Sequence, residues 1–121
     1  MTVIVRITKT FKTAVKPLLK KYPSLSKDLL TLEAELTADP KLGTPLGSST
    51  YKIRLKISSK GKGKSGGARV ISLVETTLIG KVDIISEYVT VNLITIYDKA
   101  DTATINDKEL REIIKAFHQQ Q

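Results

Sequence analysis

Residues 51–58, YKIRLKIS, alternate with a period of two. Tyr51, Ile53, Leu55 and Ile57 fall on one side, and Lys52, Arg54, Lys56 and Ser58 on the other. Successive side chains of an extended chain point to opposite faces, so this segment reads as a half-buried strand with a cationic open face. A second segment, YVTVNLITIY at 88–97, is apolar on both sides and therefore reads as a central strand. A chain holding both must build a sheet and cover it.

The remaining elements supply the cover. TVIVRI, Thr2 to Ile7, is short and β-branched, and is expected to be a strand. From 8 to 23, Phe11, Ala14, Val15, Leu18, Leu19 and Tyr22 follow a helical period, with Pro17 removing one backbone donor. From 24 to 40, Leu25, Leu29, Leu32 and Leu36 form one stripe, with Ser24 or Ser26 as cap and Pro40 and Gly43 as terminators. Residues 41–49 are loop by composition. ARVISLVE, 68–75, is another strand. The segment 76–86, TTLIGKVDIIS, fits neither pattern cleanly, and Gly80-Lys81 is a candidate hairpin turn. The last helix covers 106–117, where Asn106 and Glu109 have capping-box spacing and Leu110, Ile113, Ile114 and Phe117 form the stripe. The final HQQQ reads as a frayed tail.

Strands joined by short connections pair antiparallel. The expected fold is thus α+β: one domain over 1–121, a twisted antiparallel sheet with two N-terminal helices and a short C-terminal helix on one face. An apolar content of 40% supports a buried core, and the six aromatic residues make that core aliphatic. The chain has no Cys, which excludes disulfides and thiolate metal sites and suits a reducing compartment. No apolar run approaches the roughly 18 residues a membrane span needs. The expectation is a soluble, cytoplasmic protein.

Charge is the strongest functional signal. Twenty Lys and Arg against twelve Asp and Glu give +8. Thirteen of those cations lie in two acid-free windows, 6–21 and 52–69, so the charge is segregated rather than spread. Such a field attracts a polyanion, either nucleic acid or an acidic protein.

Within the second window, SSKGKGKSGGAR contains Gly63-Lys64-Ser65, the end of a phosphate-loop signature. The signature needs a glycine five residues earlier, where this chain has Ser58, and it needs a following helix where this chain has a β-branched strand. A mobile basic hairpin connection is the better reading. Lys60, Lys62 and Lys64, with Lys56, are its candidate RNA-binding residues.

Taken in order, KKYPSL at 20–25, the DP and Gly of 39–43, YKIRL at 51–55, GKGKSGGARVI at 61–71 and IYDK at 96–99 resemble the RelE/ParE superfamily of type II toxins, its HigB/RelE branch in particular. The resemblance covers nearly the whole chain and rests on order and spacing rather than on one motif. It implies a toxin that cleaves mRNA on the ribosome without a metal or other cofactor and that a cognate antitoxin holds silent. In such a reaction the 2′-hydroxyl attacks the adjacent phosphate, so the site must supply a base, stabilise the phosphorane and protonate the leaving oxygen.

Carried over by position, Lys52 is the base candidate, Arg54 a phosphate binder and Arg69 a candidate for transition-state stabilisation. A lysine ordinarily titrates near ~10.4, and crowding by other cations favours the neutral form that a base requires. Without the resemblance, Lys52 and Arg54 read as ordinary outward charges. The family's usual terminal Arg and Tyr or His are missing here, because IYDKADTATI offers only Tyr97 and the next Arg is Arg111. The candidates for that role are Tyr97 as a substitute or His118 folding back, although a lone tail His more often reads as a bystander. The alternatives are a non-catalytic ParE-like gyrase inhibitor and an inactive relic that binds only its antitoxin. The expected antitoxin surfaces are the helix at 8–21 and the basic sheet face.

Overall fold

A computed structural model of the chain describes residues 1–101 and 105–119. Strand β1 (Thr2–Ile7) leads into helices α1 (Lys9–Lys21) and α2 (Leu25–Ala38). Strands β2 (Thr44–Gly47) and β3 (Thr50–Leu55) follow, then a 3-10 turn at Ser58–Lys60 and one helical turn, α3 (Gly63–Gly66). Strands β4 (Ala68–Lys81) and β5 (Ile84–Asp98) precede helix α4 (Asp107–Gln119). The α+β class holds. Among the described residues, no helix is long and apolar enough to cross a membrane.

The five strands form one sheet in the order β1-β5-β4-β3-β2. The sheet is mixed, which corrects the antiparallel expectation. The pairs β2–β3, β3–β4 and β4–β5 are antiparallel, but β1 runs parallel to β5, from Thr2 opposite Tyr88 to Ile7 opposite Leu93. The short-connection rule is correct for the meander β2 to β5. It has nothing to say about β1 and β5, whose partners stand 86 residues apart in sequence, as Thr2 and Tyr88 do.

A second correction concerns the helices, which do not share one face. The main core cluster joins Phe11, Val15 and Leu18 of α1 and Leu25, Leu32 and Leu36 of α2 to Ile53, Leu55, Val70, Val74, Val91 and Ile96. A separate cluster joins Leu110 and Phe117 of α4 to Ile71, Leu73 and Ile94. Along β4, Val70 and Val74 belong to the first cluster and Ile71 and Leu73 to the second, so α4 lies on the opposite face from α1 and α2. β5 therefore has apolar residues on both of its sides because both of its faces are covered.

Local chemistry sets several boundaries. Thr8 caps α1, its hydroxyl accepting from the Phe11 N–H at 3.2 Å and donating to the Leu93 carbonyl at 2.8 Å. Helix α1 continues through an exposed Pro17. At α4 the Asn106 side chain accepts from Glu109 N–H at 2.8 Å and donates to the Glu109 carboxylate at 2.8 Å. This is the capping pair the spacing implied.

Residues 76–86 extend β4 and β5 into a long hairpin that turns at Val82-Asp83, one pair beyond the expected Gly80-Lys81. Gly80 lies within the strand at φ +135°, and a Cβ there would stand 2.0 Å from the Ile84 carbonyl oxygen. Its glycine permits that close approach rather than marking the turn.

Candidate nucleic-acid interface

The register of three strands assembles the predicted residues. Arg54 of β3 is opposite Arg69 of β4, and Arg69 is opposite Tyr97 of β5. Directly opposed residues share a face, so these three form a row across the sheet on the side that α4 partly covers. Lys52, half-buried and opposite Ile71, belongs to the next row of the same face. Arg54 and Lys56 are exposed.

At the end of β3, Arg54, Lys56 and Lys64 line a cleft of about 310 Å³ whose opposite wall is α2, with Asp28, Thr31 and Glu35. The cleft thus has mixed charge. Lys64 sits 3.4 Å from the Glu35 carboxylate, an exposed pair of little energetic weight.

The glycine-rich run is not a plain hairpin connection: it folds as a 3-10 turn at Ser58–Lys60 followed by one helical turn at Gly63–Gly66. Arg69 accounts for much of this. Its guanidinium is buried and donates to the carbonyls of Lys64 (3.2 Å), Ser65 (3.0 Å) and Ala68 (3.1 Å), so it fixes α3 from beneath. Gly67 allows the run to lie against β3: a Cβ there would be 2.0 Å from the Leu55 carbonyl oxygen.

Two buried carboxylates, neither singled out in the sequence, anchor the other end. Asp98 accepts from the Lys60 ammonium at 2.6 Å, from the Ala100 N–H at 3.0 Å and from the Tyr22 hydroxyl. Burial alone would raise its pKa, but the bonds from Lys60, Tyr22 and Ala100 bring it down to about 2. Asp28 accepts from the Ser58 hydroxyl (2.6 Å), the Ser58 N–H (2.9 Å) and the Ser24 hydroxyl (2.7 Å). Burial opposes the charged form there too, yet the serine bonds hold this carboxyl below its ordinary value.

These anchors divide the predicted lysines. Lys60 points inward onto Asp98 and serves the loop's position rather than its outer surface. Lys62 and Lys64 are exposed, as is Lys56. Tyr97 packs with the α4 cluster, and its hydroxyl is buried near the backbone of Ile105 without a well-formed hydrogen bond among the described residues. That burial raises its pKa against the opposing pull of the Arg69 guanidinium. His118 is exposed near the end of α4.

The signal for Asp98 was present in the sequence. It is an acid ending an apolar central strand in a protein of net charge +8, a place that suits both a cation partner and the turn bond it makes to Ala100 N–H. Asp28 gave no comparable signal, since one polar residue beside a leucine stripe is ordinary.

No family model matches the chain, and no solved structure matches it significantly.

Proposed function

We propose that this protein is a RelE-like toxin of a type II toxin–antitoxin system, an endoribonuclease that cleaves mRNA on the ribosome. The observation that carries the reading is the row Arg54–Arg69–Tyr97 beside Lys52, with Lys56, Lys62 and Lys64 exposed around it. The order of a first strand, two helices and a meander agrees with what the sequence resemblance implies.

In this reading exposed Lys56, Lys62 and Lys64 track the phosphates of a single strand, and Arg54 binds the scissile phosphate. Lys52 takes the proton from the 2′-hydroxyl. The oxygen then attacks phosphorus, the bond to the 5′ oxygen breaks, and that oxygen takes a proton from Tyr97 or water. The products are a 2′,3′-cyclic phosphate and a 5′-hydroxyl. Arg69 contributes positive charge from below and holds the loop in place. The partners are the translating ribosome and a cognate antitoxin, whose acidic composition is the expectation from charge complementarity.

The buried Tyr97 hydroxyl favours a second reading, because a proton donor must reach its substrate. A gyrase inhibitor on this scaffold needs no such donor. Antitoxin-free protein assayed in parallel on ribosome-bound mRNA and on gyrase supercoiling separates the two. The ribonuclease reading expects cleavage that falls about a hundredfold in Lys52→Ala and Arg54→Ala, the scale of one acid–base or charge-stabilising group. Intact mRNA with supercoiling blocked contradicts it.

A further inference from the structure

The far end of the β4–β5 hairpin has no role in the proposed site. β3 accompanies β4 only as far as Leu73, after which the Val74 N–H donates to the Ser49 carbonyl at 2.9 Å. β1 accompanies β5 only from Tyr88 onward. Residues 75–87 therefore form a two-stranded ribbon with both outer edges unpaired and neither face buried. Leu78, Ile79, Val82, Ile84 and Ile85 are each more than half exposed, Val82 at 98%. A bare two-stranded ribbon is marginal in water, and contiguous apolar exposure of this extent marks an interaction surface.

The backbone and the charges indicate what covers it. Hydrogen-bonding groups alternate sides along a strand, so the N–H and C=O of Thr76, Leu78 and Gly80 face the same open edge as the Val74 N–H. We propose that this arm is a dimerisation element, in which two copies of the chain pair β4 to β4 antiparallel about Leu78. In that register each Leu78 exchanges its N–H and C=O with its counterpart, and Thr76 is opposite Gly80 of the other copy.

The same register sets Glu75 opposite Lys81 of the other copy, twice, at the non-hydrogen-bonded positions where side chains approach most closely. Shifting it by one hydrogen-bonded step either way separates that pair, placing Glu75 against Ile79 or against Asp83. One Glu75 oxygen already accepts from the Asn92 side chain at 2.6 Å, which orients the carboxylate and leaves the second oxygen for the incoming ammonium. Lys81 has no ion-pair partner of its own among the described residues. The β5 edge offers no such match, because from Ile84 to Tyr88 it carries Glu87 and no cation. The arm is thus self-complementary along β4 and has no charge match to itself along β5. An isologous interface requires this kind of self-complementarity.

Sedimentation equilibrium of the full chain over a wide concentration range tests this. The wild-type chain is expected to approach twice its 13.3 kDa mass. Leu78→Pro removes an edge donor that the hairpin itself does not use, so it should fold, by circular dichroism and thermal unfolding, and remain monomeric. Lys81→Glu and Glu75→Lys should each weaken self-association about tenfold or more and should dimerise when mixed, since both ends of the mixed pair regain opposite charges. A wild-type chain that stays monomeric at every concentration overturns the proposal, even if its arm captures some other protein. A dimer that survives Leu78→Pro also overturns it, and failure of the mixed charge variants to recover overturns the register.

Discussion

Asp98 is the residue on which the candidate interface most depends. Its carboxylate ties the turn at Ser58–Lys60, the C-terminal end of α1 through Tyr22, and the end of β5 to a single point. Replacing it with Asn leaves the Lys60 ammonium buried beside a neutral group, a loss of about 3 kcal/mol when a buried ion pair is broken from one side. Thermal unfolding of Asp98→Asn should show this as a lower Tm. The same carboxylate gives the protein an acid limb. Its folded pKa of about 2 lies below the ordinary 3.8, so the unfolded chain binds the proton more readily. That contribution, about 2 kcal/mol, is complete above the unfolded value and is lost as pH falls from roughly 4 towards 2. Urea unfolding across that range should show the loss in wild type and a flatter profile in Asp98→Asn.

Among the elements, the glycine-rich run takes its shape from residues on either side of its glycines. Composition reads Gly and Lys together as a hairpin connection, whereas the run folds as two short helical turns, bonded by Arg69 on three carbonyls and by Asp98 and Asp28 at the first turn. Gly67 is the tightest point, where any Cβ would collide with the Leu55 backbone. Gly67→Ala should therefore destabilise the fold by about 2 kcal/mol or more, against about 0.5 kcal/mol of gain where an alanine fits without strain. Chemical denaturation measures this, and a neutral or stabilising result would mean that the loop does not lie against β3.

The elements legible from sequence were those whose signal is local. The leucine stripe of α2, the capping pair Asn106–Glu109 and the alternation of YKIRLKIS each state their own structure. The parallel β1–β5 pair, the far-side position of α4 and the shape of the lysine loop all depend on residues distant in sequence. No local period encodes them. The row Arg54–Arg69–Tyr97 lies between these cases: its members were identifiable by type, but only the strand register makes them neighbours.

The molecule as a whole combines segregated charge with a two-sided sheet. One face packs against α1 and α2, while the other is shared between α4 and the cationic row. The acids that could neutralise the loop window are mostly used up internally, Asp28 on two serines and Asp98 on Lys60. What remains outward is Arg54, Lys56, Lys62 and Lys64, with Glu35 beside the last. Binding of single-stranded RNA should weaken with salt at a log–log slope of about −3, the value expected for four phosphate contacts, and Lys56→Ala or Lys62→Ala should each reduce that slope by about 0.7. Fluorescence anisotropy across a salt series reads both.

RNA cleavage by the cationic row, as proposed, is read most directly from the chemistry of the ends. Ribosome-bound mRNA incubated with antitoxin-free protein should yield fragments ending in a 2′,3′-cyclic phosphate and beginning with a 5′-hydroxyl, the ends that attack by the neighbouring 2′-hydroxyl leaves. The yield should fall about a hundredfold in a folded Lys52→Ala variant. Intact mRNA, or fragments that appear equally with Lys52→Ala, would contradict the claim.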